Sequence, residues 1–209
     1  MCNLEFELEC LEVIPFRPIL CYILNMDNKI KIAFDLDGVI IDKPPLIPKK
    51  LLEYLFRGNT DVNNLHYRYP KTKLEIVIRK VSHFYLFRPP IKQNIDYIKN
   101  LAKNSKYELY IVSARYSFLK NETAYWLKKR GINHLFKKVV INLENKQPHL
   151  YKEELLKEIG PIVFVDDDWL LADYLVAKKI HTKIYCLPGR NSGICIKAKP
   201  IKQLTEMSL

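Results

Sequence analysis

Lys31-Ile32-Ala33-Phe34-Asp35-Leu36-Asp37-Gly38-Val39-Ile40 is the stretch on which the reading of this chain turns. The run Ile30–Phe34 is short, apolar, rich in β-branched residues and bounded by a turn signal, which predicts a buried strand. Asp35 and Asp37 follow, one residue apart, and then Gly38 lets the chain turn without steric cost. In an open α/β sheet, ligands bind just outside the carboxyl ends of the strands, where these two aspartates fall. Two carboxylates held together repel unless a cation sits between them. Mg²⁺, a hard ion that prefers oxygen ligands, is the natural candidate. Alone, Asp-x-Asp-Gly also fits a solvated turn. Three later stretches decide between the two.

The chain has 209 residues, enough for one good core and at most a small accessory unit. A hydrophobic fraction of 48% with 27% charged residues is that of an ordinary soluble globular protein. With 6 glycines there is no glycine-rich phosphate loop, neither G-x-x-x-x-G-K nor G-x-G-x-x-G. The net charge of +11 favours an anionic partner: a phosphate ester, a nucleotide or nucleic acid. A lysine-rich composition gives the same number, so charge does not settle the matter. The five cysteines, Cys2, Cys10, Cys21, Cys186 and Cys195, form no C-x-x-C pair, which disfavours a zinc site. Their odd count and scatter suit a reducing, cytoplasmic location. No apolar run reaches the length of a membrane span.

Residues 1–28 read as a weakly ordered N-terminal extension with a period-2 alternation around Leu4–Cys10. After Asp42 three prolines in Lys43–Pro48 break regular structure. Residues 46–87 then read as a small helical cap, with helices over 46–57 and 72–87. Between Leu46 and Lys92 there are ten basic and three acidic residues, interleaved with aromatics such as Tyr67, Tyr69 and Phe84. Basic groups among aromatics suit a ligand carrying both phosphate and a base, although most of these side chains individually fit core or solvated positions.

From residue 91 the pattern is regular. Helices over 91–104, 119–130, 148–159 and 170–179 alternate with strands at Tyr107–Val112, Lys138–Ile141, Ile162–Val165 and Lys183–Leu187, and a last helical turn falls near Ile201–Met207. Strands alternating with helices predict a parallel, Rossmann-like α/β sheet of five strands. Residues 29–45 and 88–209 would form this core domain.

Four features stand at strand ends or helix starts: Asp35-x-Asp37, Ser113 in Ile-Val-Ser-Ala-Arg, a lysine before the fourth strand, and Asp166-Asp167 in Val-Phe-Val-Asp-Asp-Asp. In type and order they resemble the haloacid dehalogenase superfamily of Mg²⁺-dependent phosphohydrolases, over about residues 29–187. Ile-Val-Ser-Ala-Arg, Trp126-Leu-Lys-Lys-Arg-Gly and Val-Asp-Asp-Asp look most like its nucleotidase-like and polynucleotide-phosphatase-like branches.

The resemblance implies a role for each residue. Asp35 would attack phosphorus and carry the phosphoryl group. Asp37 would protonate the leaving oxygen and then draw a proton from water. Ser113, with Ala114 and Arg115, would hold the phosphate. Arg115 fits a structural ion pair as well. Asp35, the Asp37 carbonyl and Asp166 would bind Mg²⁺, assisted by Asp167. Lys152, near the start of helix 148–159, is the first choice for the motif lysine and Lys146 the second; Lys157 reads as solvated. Asp168 reads as a helix cap and Asp173 as solvent-facing. The five scattered histidines receive no role. An aspartate at position 37 supplies a leaving-group acid, which favours phosphate hydrolysis over dehalogenation.

The expected activity is a Mg²⁺-dependent phosphomonoesterase acting on a phosphorylated small molecule of the nucleotide kind. Removal of a terminal phosphate from nucleic acid and a silent phosphate-binding module stand as alternatives. Oligomeric state is not legible.

Overall fold

The computed structural model describes residues 29–44, 65–187 and 193–209. The expected extension 1–28 and the expected helix 46–57 lie outside them.

Six parallel strands form one sheet in the order β3-β2-β1-β4-β5-β6. They are β1 (Ile30–Phe34), β2 (Tyr107–Tyr116), β3 (Lys138–Asn142), β4 (Val163–Asp166), β5 (Lys183–Cys186) and β6 (Lys199–Pro200). Five were expected. The sixth is two residues long and pairs with β5 through Tyr185↔Lys199 and Cys186↔Pro200; so short a strand has no sequence period to read.

The central strands β1, β2 and β4 are buried on both faces, and their alternation sorts two cores. Ile32 and Phe34 of β1, Leu109 and Ile111 of β2, and Val163 and Val165 of β4 face one side. There they meet Ile95 and Ile98 of α2 (Lys92–Ala102) and Trp126 and Leu127 of α3 (Lys120–Lys129). Ala33, Tyr110, Val112 and Phe164 face the other, against Leu155 and Leu156 of α4 (Pro148–Ile159) and Leu171 and Leu175 of α5 (Trp169–Ala177). Helices on both faces are what an all-parallel sheet requires. Within the stretch expected as cap, α1 (Lys73–Ser82) is shorter than the expected 72–87, since His83 ends it and turns follow.

Helix boundaries follow local chemistry. Pro148 opens α4, where its missing N–H costs nothing, and Gly160 closes it with a left-handed φ of 63°. The Asp168 carboxylate caps α5 by accepting from the N–H groups of Leu170 and Leu171. Asp173, expected to face solvent, instead accepts from the backbone N–H groups of Ile196, Lys197 and Ala198. It anchors the returning C-terminal segment. Cys186, the last residue of β5, forms a disulfide with Cys195 of that segment, their Cα atoms 6.5 Å apart. The scatter of the cysteines had suggested unpaired thiols. The pairing comes from the chain folding back beside β5, which their spacing does not reveal.

Among the described residues no helix is long and apolar enough to cross a membrane.

Candidate active site

The topology gathers carboxylates at the carboxyl ends of the two central strands. β1 and β4 are neighbours, with Phe34 opposite Val165, and the Asp35 N–H donates to the Val165 carbonyl (2.8 Å). Asp35 and Asp166 therefore emerge side by side. Asp167 follows at once, and its carboxylate lies against Gly38. A Cβ on Gly38 would sit 2.1 Å from Asp167 Cγ, and Gly38 also holds a φ of +77°. Glycine is thus required at position 38 twice over, for the turn and for the close approach.

Asp35, Asp166 and Asp167 offer carboxylate oxygens all within 4.8 Å of one another. Burial raises the Asp35 pKa well above the ordinary carboxylate range; Lys152 opposes the rise, while Asp166, Asp37 and Asp167 add to it. Burial likewise lifts Asp167 to about 6, with Lys43 opposing and Asp166 and Asp168 adding. Carboxylates crowded together and pushed toward their neutral form are the donor set that a hard divalent cation relieves. The trio therefore fits Mg²⁺.

Lys152 enters from α4. Its Nζ donates to Asp35 Oδ1 (2.9 Å) and to Asp166 Oδ2 (2.7 Å). Burial alone would lower its pKa, but Asp166 and Asp35 outweigh that and hold it a cation. Lys146, the other candidate, stays outside the cluster and pairs with Glu144 and Glu154. Lys157 pairs with Glu153 on the surface.

The Asp37 side chain meets two buried arginines. Arg115 Nε donates to Asp37 Oδ2 and Nη2 to Oδ1, both at 2.7 Å, while its Nη1 is braced on Thr123 Oγ1 (3.0 Å). Arg88 Nη2 also donates to Asp37 Oδ1. Burial opposes ionisation of Asp37, but Arg115 and Arg88 overcome it and hold the carboxyl well below its usual range. Ser113 is buried on β2, and its Oγ accepts from the Arg115 N–H (3.4 Å). Ala114 lies between them, half-buried. After Ser113 the β2–β3 register slips, so that Tyr116 rather than Ala114 takes the next pairing, with Asn142. This irregularity frees the backbone of residues 114–115 from the ladder at the mouth of the site.

The eight residues named for the site thus come to one end of the sheet, and two more join them. Lys43, on the exit from the first turn, lies 3.2 Å from Asp167 Oδ2. Arg88 is the first residue after the expected cap. Neither carries a sequence signal, since both are single basic residues in basic stretches. His83 is buried close by. Desolvation, then the positive fields of Arg115 and Arg88, hold its pKa down to about 3, so it stays neutral.

No protein-family model matches the sequence, and no curated protein sequence does. Solved structures do resemble the fold. CbbY from Rhodobacter sphaeroides, in complex with phosphate, aligns with a TM-score of 0.57 at 13% identity, over 84% of this chain and 95% of that one. The putative HAD-hydrolase YfnB from Bacillus subtilis, bound to magnesium, gives 0.55 at 15% identity over 86% and 96%. The archaeal beta-phosphoglucomutase from Pyrococcus sp. strain ST 04 gives 0.53 at 15% identity over 86% and 95%. With its parallel sheet and flanking helices, the chain has the Rossmann-like fold of the haloacid dehalogenase-like hydrolases.

Proposed function

We propose that the protein is a Mg²⁺-dependent phosphomonoester hydrolase that works through an aspartyl-phosphate on Asp35. One observation carries this reading. The carboxylate trio Asp35, Asp166 and Asp167 brings together oxygens that could hold a cation, and its first member is also bonded to a buried lysine, Lys152. A carboxylate that touches both a metal site and a fixed cation can approach a dianionic phosphoryl group without repelling it.

Charge balance supports the same substrate class. Asp35, Asp37, Asp166 and Asp167 are each paired with at least one of Lys43, Lys152, Arg88 and Arg115. Four negative and four positive groups cancel. A divalent cation leaves two positive charges over, the complement of a phosphate dianion.

Asp35, Asp166 and Asp167, with the main-chain carbonyl of Asp37, would hold Mg²⁺, which supplies charge neutralisation at the phosphoryl oxygens. The chain's residues do the rest. Asp35 attacks phosphorus in line, and the bond to the leaving oxygen breaks. Ser113 Oγ and the backbone N–H groups of residues 114–115 hold phosphoryl oxygens, and Arg115 turns toward them. Asp37, ionised while both arginines hold it, takes up a proton as Arg115 turns to the phosphoryl group and gives that proton to the leaving oxygen. Water then attacks the aspartyl-phosphate with Asp37 taking its proton, and inorganic phosphate departs. Lys152 keeps Asp35 ionised for the attack.

A nucleotide is the substrate class we infer. Tyr69 stands edge-on to Tyr116 (centroids 5.0 Å) and to Phe118 (6.1 Å), next in sequence to Arg115. Aromatic faces beside a phosphate site suit a nucleobase. The resemblance of Ile-Val-Ser-Ala-Arg to the nucleotidase-like branch points the same way.

The test is hydrolysis of 4-nitrophenyl phosphate and a nucleotide panel, with Mg²⁺ and with EDTA, beside Asp35→Asn. Mg²⁺-dependent turnover that the substitution abolishes is the expected result. No turnover across the panel, with phosphate still bound, would identify a silent binding module instead. Turnover only of a phosphorylated oligonucleotide, falling steeply with salt, would move the substrate to nucleic-acid ends.

A further inference from the structure

Asp37 receives an unequal set of hydrogen bonds on its two oxygens. Oδ1 accepts from Arg88 Nη2 and from Arg115 Nη2, whereas Oδ2 accepts from Arg115 Nε alone. A carboxylate oxygen has two lone-pair sites. Oδ1 is filled, and Oδ2 keeps one site open.

The two arginines differ in how they are held. Arg115 stands at the end of β2, two residues past Ser113 and beside the released backbone. It is the cation that an entering phosphoryl group can recruit. Arg88 sits on a rigid base. Its carbonyl accepts from the fully buried Trp126 Nε1 (2.8 Å), the following Pro89 carbonyl accepts from the Asp42 N–H (2.8 Å), and the Ile91 N–H donates to the Ile40 carbonyl (2.9 Å). These bonds fasten the main chain around Arg88 to the core and to the turn that carries Asp37. The Arg88 guanidinium is buried as well, and its Nε has no hydrogen-bond partner among the described residues. A buried cation with an unsatisfied donor is costly, and its one described ion pair is to Asp37.

From this geometry we infer that Arg88 is a positioning residue for Asp37. It occupies Oδ1 from a fixed base and keeps the carboxylate in place when Arg115 is shared with the phosphate, leaving Oδ2 as the oxygen that meets the leaving group. The inference rests on the phosphatase reading above, within which it assigns a residue that no motif of the chain marks. It also gives the two arginines that converge on one carboxylate different places: Arg115 stands two residues past Ser113, braced on Thr123, and Arg88 on a main chain fastened to the core.

The test separates substrates by their need for a leaving-group proton. 4-Nitrophenolate departs without one; the alkoxide of a nucleoside 5′-monophosphate does not. The quantity to compare is kcat/KM, which reports the first irreversible step, for wild type, Arg88→Lys and Arg88→Met. The bond from Trp126 uses the main chain and survives both substitutions, and thermal melting verifies that both variants are folded. In Arg88→Met, kcat/KM on the nucleotide falls at least about tenfold further than on 4-nitrophenyl phosphate, since general-acid catalysis contributes about 10²–10⁴-fold. The nucleotide loss lies in kcat with KM little changed, Mg²⁺ activation keeps its midpoint, and Arg88→Lys recovers part of the loss. Equal losses on both substrates, or a loss confined to KM, would overturn the positioning role and leave the phosphatase reading intact. A wild type that hydrolyses neither substrate would overturn both.

Discussion

Lys152 and Asp35 meet with 2.9 Å between Nζ and Oδ1, and their side chains are only 4% and 7% exposed. The same ammonium reaches Asp166, so it is the cation shared by two buried carboxylates. Removing one partner of a buried pair leaves uncompensated charge and costs about 3–5 kcal/mol. Lys152→Met is expected to lose stability on that scale in urea unfolding with EDTA, to recover part of it with Mg²⁺, and to lose turnover. Lys146→Ala, which breaks only exposed ion pairs, is the control; it leaves turnover and stability unchanged, within about 0.5 kcal/mol.

Gly38→Ala tests the close approach to Asp167. The new methyl group would overlap the Asp167 carboxylate, on a backbone whose φ of +77° suits glycine. Displacing one member of the trio is expected to weaken Mg²⁺ by roughly 10–100-fold, the scale on which lost support acts at metal sites. The strained φ costs about 1 kcal/mol more. Mg²⁺ titration of activity and thermal melting in EDTA measure the two effects separately.

Asp167 gives the site a pH signature. Its folded pKa is raised to about 6 from 3.8, first by burial. A raised carboxyl contributes stability that is present below the unfolded value and lost as pH climbs through the folded one. In EDTA, Asp167→Asn is therefore expected to exceed wild type in stability above pH 6, by on the order of 2 kcal/mol. The advantage fades as pH falls toward 4, where wild type is neutral there too. Saturating Mg²⁺ reverses the order above pH 6. Melting curves of both proteins across this window, with and without the ion, measure it.

The Cys186–Cys195 disulfide closes a loop of sequence separation 9. Such a loop restricts the unfolded chain by roughly 2–3 kcal/mol. Cys195→Ser, or reduction with dithiothreitol, is expected to lower stability by about that amount. Thiol titration of the unfolded protein should rise by two groups when this bond is reduced.

The sheet and the acidic cluster were legible because their signals are local. Asp35 and Asp166 each end an apolar run, and Lys152 falls near the start of the helix just ahead of the fourth strand. Parallel pairing and helix placement then follow from alternation. What stayed hidden depends on distant parts of the chain. Arg88 reaches Asp37 across 51 residues, and nothing in Phe87-Arg88-Pro89 distinguishes it from the other basic residues around it. Asp173 looks like any polar helix position until the C-terminal segment folds back to place three N–H groups on it. β2 runs to Tyr116, past the expected Val112, because its partner β3 continues to Asn142 after a slip in register. A single strand's composition does not encode its partner's length.

The pairing of β1 with β4 also bears on how the protein is made. Asp35 leaves the ribosome well before the helix that supplies Lys152, 117 residues later, and the strand that supplies Asp166. Sheets built from such distant pairings close late. A chain that stops short of residue 152 would carry Asp35, the proposed nucleophile, without Lys152, Asp166 or Asp167 beside it. Under the proposed function, phosphoryl chemistry would begin only once residues 152 and 166 have both emerged and folded, and shorter products would be inert toward phosphate esters.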